Sequence, residues 1–317
     1  MLDVVCLGEL LIDFTTKVTG ASIIDSKEFI KHAGGSPANT AVGVATLGGN
    51  SALMGKVGDD PFGKFLYKTL KEKNVNVSGL RLTKEAKTRL AFVDNLANGK
   101  REFIFYGTPS ADELYCDIDL EHKLLLNTKI FHFGSIALVN DCVYKAAIEA
   151  ISLARGKGVL ISYDPNVRLD MWPNESMAKE RITECIRMSD IVKISDEELE
   201  ISTGTSEIEE ALEIVTLMGP KIAIVTRGDS GVDYKWGAYR GYIPSFKVDL
   251  VDATGAGDSF AAALLFQISK QNKPIDSYDD SLIRGVIAFA AKVGAIVVTK
   301  HGAIPAMPTF EEVSNSF

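Results

Sequence analysis

The amino-acid sequence predicts an α/β fold with a mostly parallel central sheet, helices on both of its faces, and a small β-sheet lid. Continuous apolar runs rich in β-branched residues alternate with segments of helical period, which is typical of a parallel sheet covered on both faces. Two other stretches break this alternation with strands of period two, which indicates a separate small sheet. The expected strands of the main sheet cover residues 4–7, 129–133, 159–163, 191–194 and 222–226, and the expected helices include residues 142–155, 177–188, 207–218 and 260–270.

The chain of 317 residues is expected to form a single domain, because no low-complexity linker or internal repeat divides it. The lid is assigned to residues 11–33 and 88–108. In the latter segment a pair of strand patterns flanks Asn98-Gly99, which is a strong signal for a hairpin turn. Parallel sheets bind ligands beyond the carboxyl ends of their strands, so the residues that follow each strand are the first candidates for a binding site.

Composition and charge indicate a globular protein, for which the cytoplasm is the default location. Hydrophobic residues make up 46% and charged residues 24% of the chain, and the formal net charge is −8. A negative balance argues against nucleic acid or an anionic membrane as a general partner, because both require a basic surface. The longest apolar stretch, residues 285–298, is interrupted by Lys292 and is shorter than the roughly 20 residues that a bilayer requires.

The cysteines and histidines show no metal-binding or redox pattern. Cys6, Cys116, Cys142 and Cys185 lie in apolar or mixed stretches without a C-x-x-C pair, so all four are expected to be buried free thiols in a reducing compartment. The four histidines lack the spacing of metal ligands, so no protein-bound transition metal is expected.

The segment from residue 252 to residue 258, Asp-Ala-Thr-Gly-Ala-Gly-Asp, precedes a helical pattern. Gly255 and Gly257 allow successive backbone N–H groups to point one way, and the start of a helix adds further amides and a positive dipole end, which together suit a phosphate. A carboxylate beside such a site is unfavourable for simple phosphate binding but suits a base that accepts a proton from an attacking hydroxyl. Asp258 is therefore a candidate base, with an ordinary N-cap as the alternative.

This segment resembles the second signature of the ribokinase-like (pfkB) carbohydrate kinases, usually D-T-x-G-A-G-D, with Ala253 in place of the second residue. The resemblance implies a ribokinase-like fold and ATP-dependent sugar phosphorylation. It assigns Asp258 the role of catalytic base, and it assigns Gly255, Ala256 and Gly257 the role of anion hole.

A second segment, residues 34–63, resembles the first signature of the same family. It begins with Gly34-Gly35-Ser36-Pro37-Ala38-Asn39. It implies that Gly34, Gly35 and Asn39 contact sugar hydroxyls, whereas two glycines alone would indicate only a tight helix start. Upstream, Asp13 in the family-like segment 8–14 would accept hydrogen bonds from two adjacent hydroxyls. Residues 58–65 approximate a P-loop, but Phe65 replaces the hydroxyl residue, so a turn and helix start is the better interpretation.

The resemblance also assigns the nucleotide and cation sites. Its positions for the nucleotide are Lys193, Glu198, Thr226, Gly228, Gly231 and Ala291. Glu198 would organise the water shell of Mg²⁺, although acids in a first helical turn usually pair with the helix dipole. Arg168, after an Asp-Pro-Asn turn, would clamp sugar or phosphate oxygens. Asp252 would hold a monovalent cation such as K⁺.

Within the family the motifs are most similar to those of fructokinases, which implies that D-fructose and ATP are converted to fructose 6-phosphate and ADP. Arg89 and Phe105 in the lid are candidates for sugar selection, with core packing or a solvated strand face as the alternative. The competing functions are a 2-keto-3-deoxygluconate kinase or another small-sugar kinase, and a non-catalytic sugar sensor. A dinucleotide-dependent oxidoreductase is disfavoured because no G-x-G-x-x-G follows the first strand. Free lid edges suggest a homodimer.

Overall fold

A computed structural model describes residues 1–18, 20, 22–95 and 101–316. The expected hairpin turn at Asn98-Gly99 lies outside these residues. Within them, no helix combines the length and apolar character needed to cross a membrane. The same residues contain no group of three or more histidine, cysteine, aspartate or glutamate side chains that could hold a metal ion.

The main sheet has nine strands in the order β13-β12-β11-β10-β9-β8-β1-β4-β5. All neighbours pair in parallel except β12, which is antiparallel to both β11 and β13. The five strands expected from the sequence are present, while four further strands and the antiparallel edge were not expected. The strands are β1 (Leu2–Leu7), β4 (Ser51–Gly58), β5 (Asn76–Thr83), β8 (Thr128–Gly134), β9 (Leu160–Asp164), β10 (Ile191–Ser195), β11 (Ile222–Thr226), β12 (Val232–Trp236) and β13 (Tyr239–Ile243).

Helices cover both faces of this sheet, as the continuous apolar strands predict. In β1, Val4 and Cys6 belong to one core and Val5 and Leu7 to the other, and all four are fully buried. The first core includes side chains from α1, α2, α8, α9, α10 and α11, and the second includes side chains from α3 to α7. The helices are α1 (Ser36–Thr46), α2 (Pro61–Glu72), α3 (His122–Leu125), α4 (Asp141–Arg155), α5 (Glu175–Arg187), α6 (Leu199–Thr203), α7 (Ile208–Met218), α8 (Ala256–Lys270), α9 (Asp280–Val297), α10 (Ala303–Ala306) and α11 (Phe310–Asn315).

The lid is a separate four-stranded sheet in the order β3-β2-β6-β7. Its strands are β2 (Leu11–Thr16), β3 (Phe29–Gly34), β6 (Leu90–Asn95) and β7 (Arg101–Tyr106). The parallel pairing of β2 with β6 brings together two chain segments that are distant in sequence. Phe14 and Phe92 face each other across this pairing and stack, with ring centroids 5.2 Å apart.

The expectation of four free thiols is wrong for one pair. Cys116 and Cys142 form a disulfide across a sequence separation of 26 residues, whereas Cys6 and Cys185 are free and buried. The bond joins the segment that follows the lid to the first turn of α4, and the spacing of these cysteines along the chain does not reveal that proximity. The cytoplasmic location expected from the sequence stays a prediction.

Candidate active site

The candidate base Asp258 is bound by two residues of α1. Helix α8 is capped by Gly255 in the left-handed conformation, with φ of 78°, and Asp258 lies in the first helical turn. Its carboxylate accepts hydrogen bonds from Ser36 Oγ and from Asn39 Nδ2, each at 2.7 Å. The cap role is therefore taken by Gly255, and the Asp258 side chain joins the two signature segments, which are more than 200 residues apart in sequence.

The double glycine lets the lid approach the start of α1. A Cβ atom on Gly34 would lie 2.0 Å from Asp13 Oδ2, so the Asp13 carboxylate packs directly against this glycine. Gly35 has φ of 110°, and a Cβ atom there would lie 2.4 Å from the carbonyl oxygen of Glu9. The structure thus brings Asp13, both glycines and Asn39 to the same place as Asp258. Asn39 Oδ1 is buried and makes no hydrogen bond within the described part of the chain, so it can accept one from a ligand hydroxyl.

Glu9, which sequence reasoning missed, supports the first residue of α1. Its Oε1 accepts a hydrogen bond from the Ser36 N–H at 2.8 Å, while its Oε2 is buried without a partner among the residues that the structure describes. Burial raises the pKa of Glu9 to about 7. The residue lies two positions after the end of β1, and that place near a strand end was the available signal.

The candidate anion hole lies at the N-terminus of α8, where first-turn amides have no carbonyl partner within the helix. The Ala256 N–H donates to the carbonyl of Ala253 at 3.2 Å, so this amide is engaged in the turn. A Cβ atom on Gly257 would lie 2.9 Å from Lys193 Nζ. The absence of a side chain at residue 257 therefore allows a buried ammonium group to sit directly against this turn.

Lys193 forms a buried ion pair with Asp164. After Glu9, Asp164 is the second site residue that sequence reasoning missed, because it was treated there only as part of a turn. Lys193 Nζ lies 3.1 Å and 3.3 Å from the two carboxylate oxygens, and the side chains are 8% and 2% exposed. Burial opposes the charge on Lys193, but the carboxylates of Asp164 and Glu198 raise its pKa. Burial also raises the pKa of Asp164, and Lys193 opposes that rise. Lys193 therefore keeps its ammonium charge beneath the candidate anion hole.

Glu198 forms hydrogen bonds with the end of β10 and with the turn after β9. Its Oε2 accepts hydrogen bonds from the Ser195 N–H and Oγ at 2.8 Å and 2.7 Å, and its Oε1 accepts the Val167 N–H. Asn166, in the turn after β9, has φ of 42°, which non-glycine residues rarely adopt. Arg168 follows in the same turn, where it is half-buried and donates to the Val167 carbonyl.

The remaining positions expected at the nucleotide lie beyond β11 and on α9. Thr226 ends β11, and Gly228 and Gly231 bracket a short helical turn with φ of 52° and 91°. A Cβ atom on Gly231 would lie 2.4 Å from the Ile243 carbonyl. Ala291 is half-buried on α9, which packs against α8.

Asp252, the expected cation ligand, joins two loops at the same end of α8. Its Oδ1 accepts hydrogen bonds from the Thr254 N–H and Oγ1 at 2.9 Å and 2.7 Å. Its Oδ2 accepts the Gly302 N–H at 2.7 Å. The residue is 6% exposed, so its carboxylate orders the chain on both sides of the phosphate motif.

Arg89 and Phe105 lie at the root of the lid. Arg89 is 3% exposed, and its guanidinium pairs with Asp112 and Glu113 at 2.9 Å each. The ring of Phe105 lies 5.9 Å from this guanidinium. This arrangement favours the packing interpretation of Arg89. The P-loop-like segment is a helix start, as expected, because Asp60 caps α2 by accepting the N–H groups of Phe62 and Gly63.

Comparison with known proteins gives consistent results. The model of the pfkB family carbohydrate kinases matches residues 1–310. Fructokinase-2 of Zea mays is 43% identical over 307 residues, which cover 96% of this chain and 91% of the relative. The crystal structure of a fructokinase with bound ATP from Xylella fastidiosa has a TM-score of 0.90 at 31% identity and covers 99% of this chain and 98% of its own. A fructokinase double mutant from Vibrio cholerae O395, with fructose, ADP and potassium ion bound, has a TM-score of 0.88 at 30% identity, with 98% and 97% coverage.

Proposed function

The chain belongs to the pfkB family of carbohydrate kinases, and on that premise we propose that it transfers the γ-phosphoryl group of ATP to D-fructose. The products are fructose 6-phosphate and ADP. The observation that carries this proposal is the contact of Asp258 with Ser36 and Asn39, because it joins a candidate base, a helix N-terminus and the double glycine in one site.

In the proposed mechanism Asp258 accepts the proton of the fructose 6-hydroxyl. The bond between this oxygen and the γ-phosphorus forms, and the bond from the γ-phosphorus to the bridging oxygen of ADP breaks. The transition state is loose, so Asp258 mainly orients the hydroxyl before it takes the proton. Asp13, Gly34, Gly35 and Asn39 hold the other sugar hydroxyls.

Charge that develops on the transferred group is stabilised from the protein side by two features. The turn of residues 255–257 provides the amides of Gly255 and Gly257 as hydrogen-bond donors, together with the positive end of the α8 dipole, while the Ala256 N–H stays bonded to the Ala253 carbonyl and shapes the turn. Lys193 adds a cation directly behind Gly257. Arg168 at the neighbouring strand end supplies a planar cation for sugar or phosphate oxygens, and Thr226, Gly228, Gly231 and Ala291 contact the nucleotide.

Mg²⁺ would enter with ATP, and it would neutralise phosphate charge while keeping most of its waters. Glu198 already accepts three protein hydrogen bonds and would reach the ion through water. Asp252 would contribute carboxylate oxygen to K⁺ from its place between the two loops at the start of α8.

The state of Arg89 favours fructose over 2-keto-3-deoxygluconate. A carboxylate-bearing substrate requires a cation such as Arg89 or Arg168. The first of these two candidates is already paired with the carboxylates of Asp112 and Glu113. Phe105, whose ring lies beside this guanidinium, would contact the apolar face of a neutral sugar.

We also propose that the protein forms a homodimer through the lid sheet. β3 and β7 form the edges of the lid sheet, and Ile30, Ile104 and Tyr106 are 45%, 43% and 55% exposed there. Free edges with exposed apolar side chains favour pairing with a second chain. Sedimentation at micromolar concentration is expected to give a dimer, and a monomer would contradict the dimer proposal.

The function is tested by turnover with fructose, 2-keto-3-deoxygluconate, ribose and adenosine, with fructose expected to have the highest kcat/KM. Asp258→Asn is expected to lower kcat by about 10²- to 10⁴-fold while calorimetry still detects fructose binding. Asp280→Asn, which changes an exposed acid in the first turn of α9, is the matched control. A clear preference for another substrate would refute the fructose assignment, and full activity of Asp258→Asn would refute the catalytic base. Sugar binding by the unmodified protein without turnover of any of the four substrates would favour a sugar sensor.

A further inference from the structure

Ser36 makes a contact with the candidate base that the proposed roles do not use. It is the first residue of α1 and 7% exposed, and its Oγ donates a hydrogen bond to Asp258 Oδ1 at 2.7 Å. Asn39 Nδ2 occupies the other oxygen, Oδ2, at the same distance. Both oxygens of the base are therefore engaged by α1.

The position of Ser36 is held by its surroundings. Its backbone N–H donates to Glu9 Oε1 at 2.8 Å, and the preceding Gly35 lies against the Glu9 carbonyl. The following residue, Pro37, has a fixed φ and packs against Gly8, where a Cβ atom would lie 2.5 Å from the proline ring. The hydroxyl therefore reaches Asp258 from a rigid backbone, and only rotation about its own side-chain bond is needed to release it.

The Ser36 hydroxyl has the same chemistry as the hydroxyl that Asp258 must receive. Each is an alcohol that donates one hydrogen bond to a carboxylate oxygen. A carboxylate oxygen that already accepts a charge-assisted hydrogen bond from Ser36 binds an incoming hydroxyl less well until Ser36 rotates away. The same carboxylate oxygen also binds less well a water molecule that would attack the nucleotide in place of the sugar.

We propose that Ser36 is a positioning residue that occupies Asp258 Oδ1 in the sugar-free enzyme and yields this oxygen to the acceptor hydroxyl. This inference rests on the proposed function and extends it to a restraint on wasteful ATP hydrolysis. Without the serine hydroxyl, water takes its place on Asp258. The water oxygen then bonds to the γ-phosphorus, and the bond from that phosphorus to the bridging oxygen of ADP breaks. The proton of the water passes to Asp258, and ADP and inorganic phosphate leave.

The test compares Ser36→Ala with Ser36→Thr, which keeps the hydroxyl, and with Ser51→Ala. Ser51 is also buried, and its Oγ donates to the Ala41 carbonyl of α1 at 2.6 Å, so its loss removes one hydrogen bond to the same helix without touching Asp258. Two quantities are measured for each purified full-length variant. They are the rate of ADP release from ATP without sugar, and the separate kcat and KM for fructose.

Ser36→Ala is expected to raise sugar-free ADP release by about tenfold and to lower KM for fructose by about three- to tenfold, the size of one ordinary hydrogen bond net of its exchange with water. Ser36→Thr and Ser51→Ala are expected to resemble the unmodified protein in both measurements. If Ser36 has only a structural role, Ser36→Ala will leave the sugar-free release of ADP unchanged or will lower all rates in parallel. Either result overturns the inference. If the unmodified protein does not phosphorylate fructose, the proposed function fails, and sugar-free ADP release still tests Ser36 separately.

Discussion

Replacement of Lys193 by methionine tests whether the buried cation beneath the phosphate motif acts in catalysis or only in folding. Lys193 Nζ lies 3.1 Å and 3.3 Å from the carboxylate oxygens of Asp164, and 2.9 Å from the position of a Cβ atom on Gly257. Methionine keeps most of the length and apolar volume of the side chain but removes its charge. The change therefore leaves Asp164 buried without its partner.

The expected loss of stability follows from this burial. Removing one partner of a buried ion pair costs about 3–5 kcal/mol, because the other charge is left uncompensated. Burial already raises the pKa of Asp164 above its usual range, so this carboxyl can take up a proton in the variant. We therefore expect Lys193→Met to lower the free energy of unfolding by about 3 kcal/mol, the lower end of that range.

The double variant Lys193→Met with Asp164→Asn separates the two roles of the pair. Asparagine removes the uncompensated charge, so the double variant is expected to regain stability to within about 1 kcal/mol of the unmodified protein. Its kcat for fructose is expected to stay about 10²- to 10³-fold low, because the cation beside the transferred phosphoryl group is still missing. Asp164→Asn alone completes the cycle.

Urea unfolding and kcat at saturating fructose are measured for all four proteins. If the double variant recovered kcat together with stability, Lys193 would have a structural role alone. If Lys193→Met unfolded at the same urea concentration as the unmodified protein, the buried pair would contribute nothing measurable, and the reasoning from its burial would be refuted.

Three further predictions follow from other contacts of the site and its surroundings. Burial raises the pKa of Glu9 from 4.5 to about 7. Between these two pH values the folded protein holds a proton that the unfolded chain releases. Glu9 therefore lowers the free energy of unfolding as pH rises through this window, with a slope of up to about 1.4 kcal/mol per pH unit. Urea unfolding at several pH values should show a flatter profile for Glu9→Gln, and equal slopes would contradict the burial argument. Replacing Cys116 and Cys142 by serine opens a loop with a sequence separation of 26 residues, which should cost roughly 3.5 kcal/mol of unfolding free energy; thermal unfolding equal to that of the oxidised protein would argue against the bond. Gly34→Ala, whose Cβ would lie 2.0 Å from Asp13 Oδ2, should raise KM for fructose more than it lowers kcat, and an unchanged KM would exclude Asp13 from sugar binding.

Local features of the sequence determined much of this protein. Apolar runs of strand length alternate with helical periods, and this local pattern predicted a sheet buried on both faces because burial repeats with the period of each element. The glycines at residues 34, 35 and 255 are also local signals, since each allows a backbone conformation or an approach that a side chain would prevent. The turn made Asp258 a candidate base, with an N-cap as the alternative, and the resemblance to the pfkB signature assigned it the role of base, which stays a prediction.

Tertiary structure alone decided which distant residues meet. Ser36 and Asp258 are 222 residues apart, and their hydrogen bond arises because α1 and α8 pack on the same face of the sheet. The carboxylates that neutralise Arg89 and the disulfide of Cys116 with Cys142 depend in the same way on how loops return to the sheet. A sequence pattern reports backbone conformation and the burial of one face, because both depend on neighbours along the chain. The partner of a polar side chain depends instead on how separate elements pack, which no local spacing records.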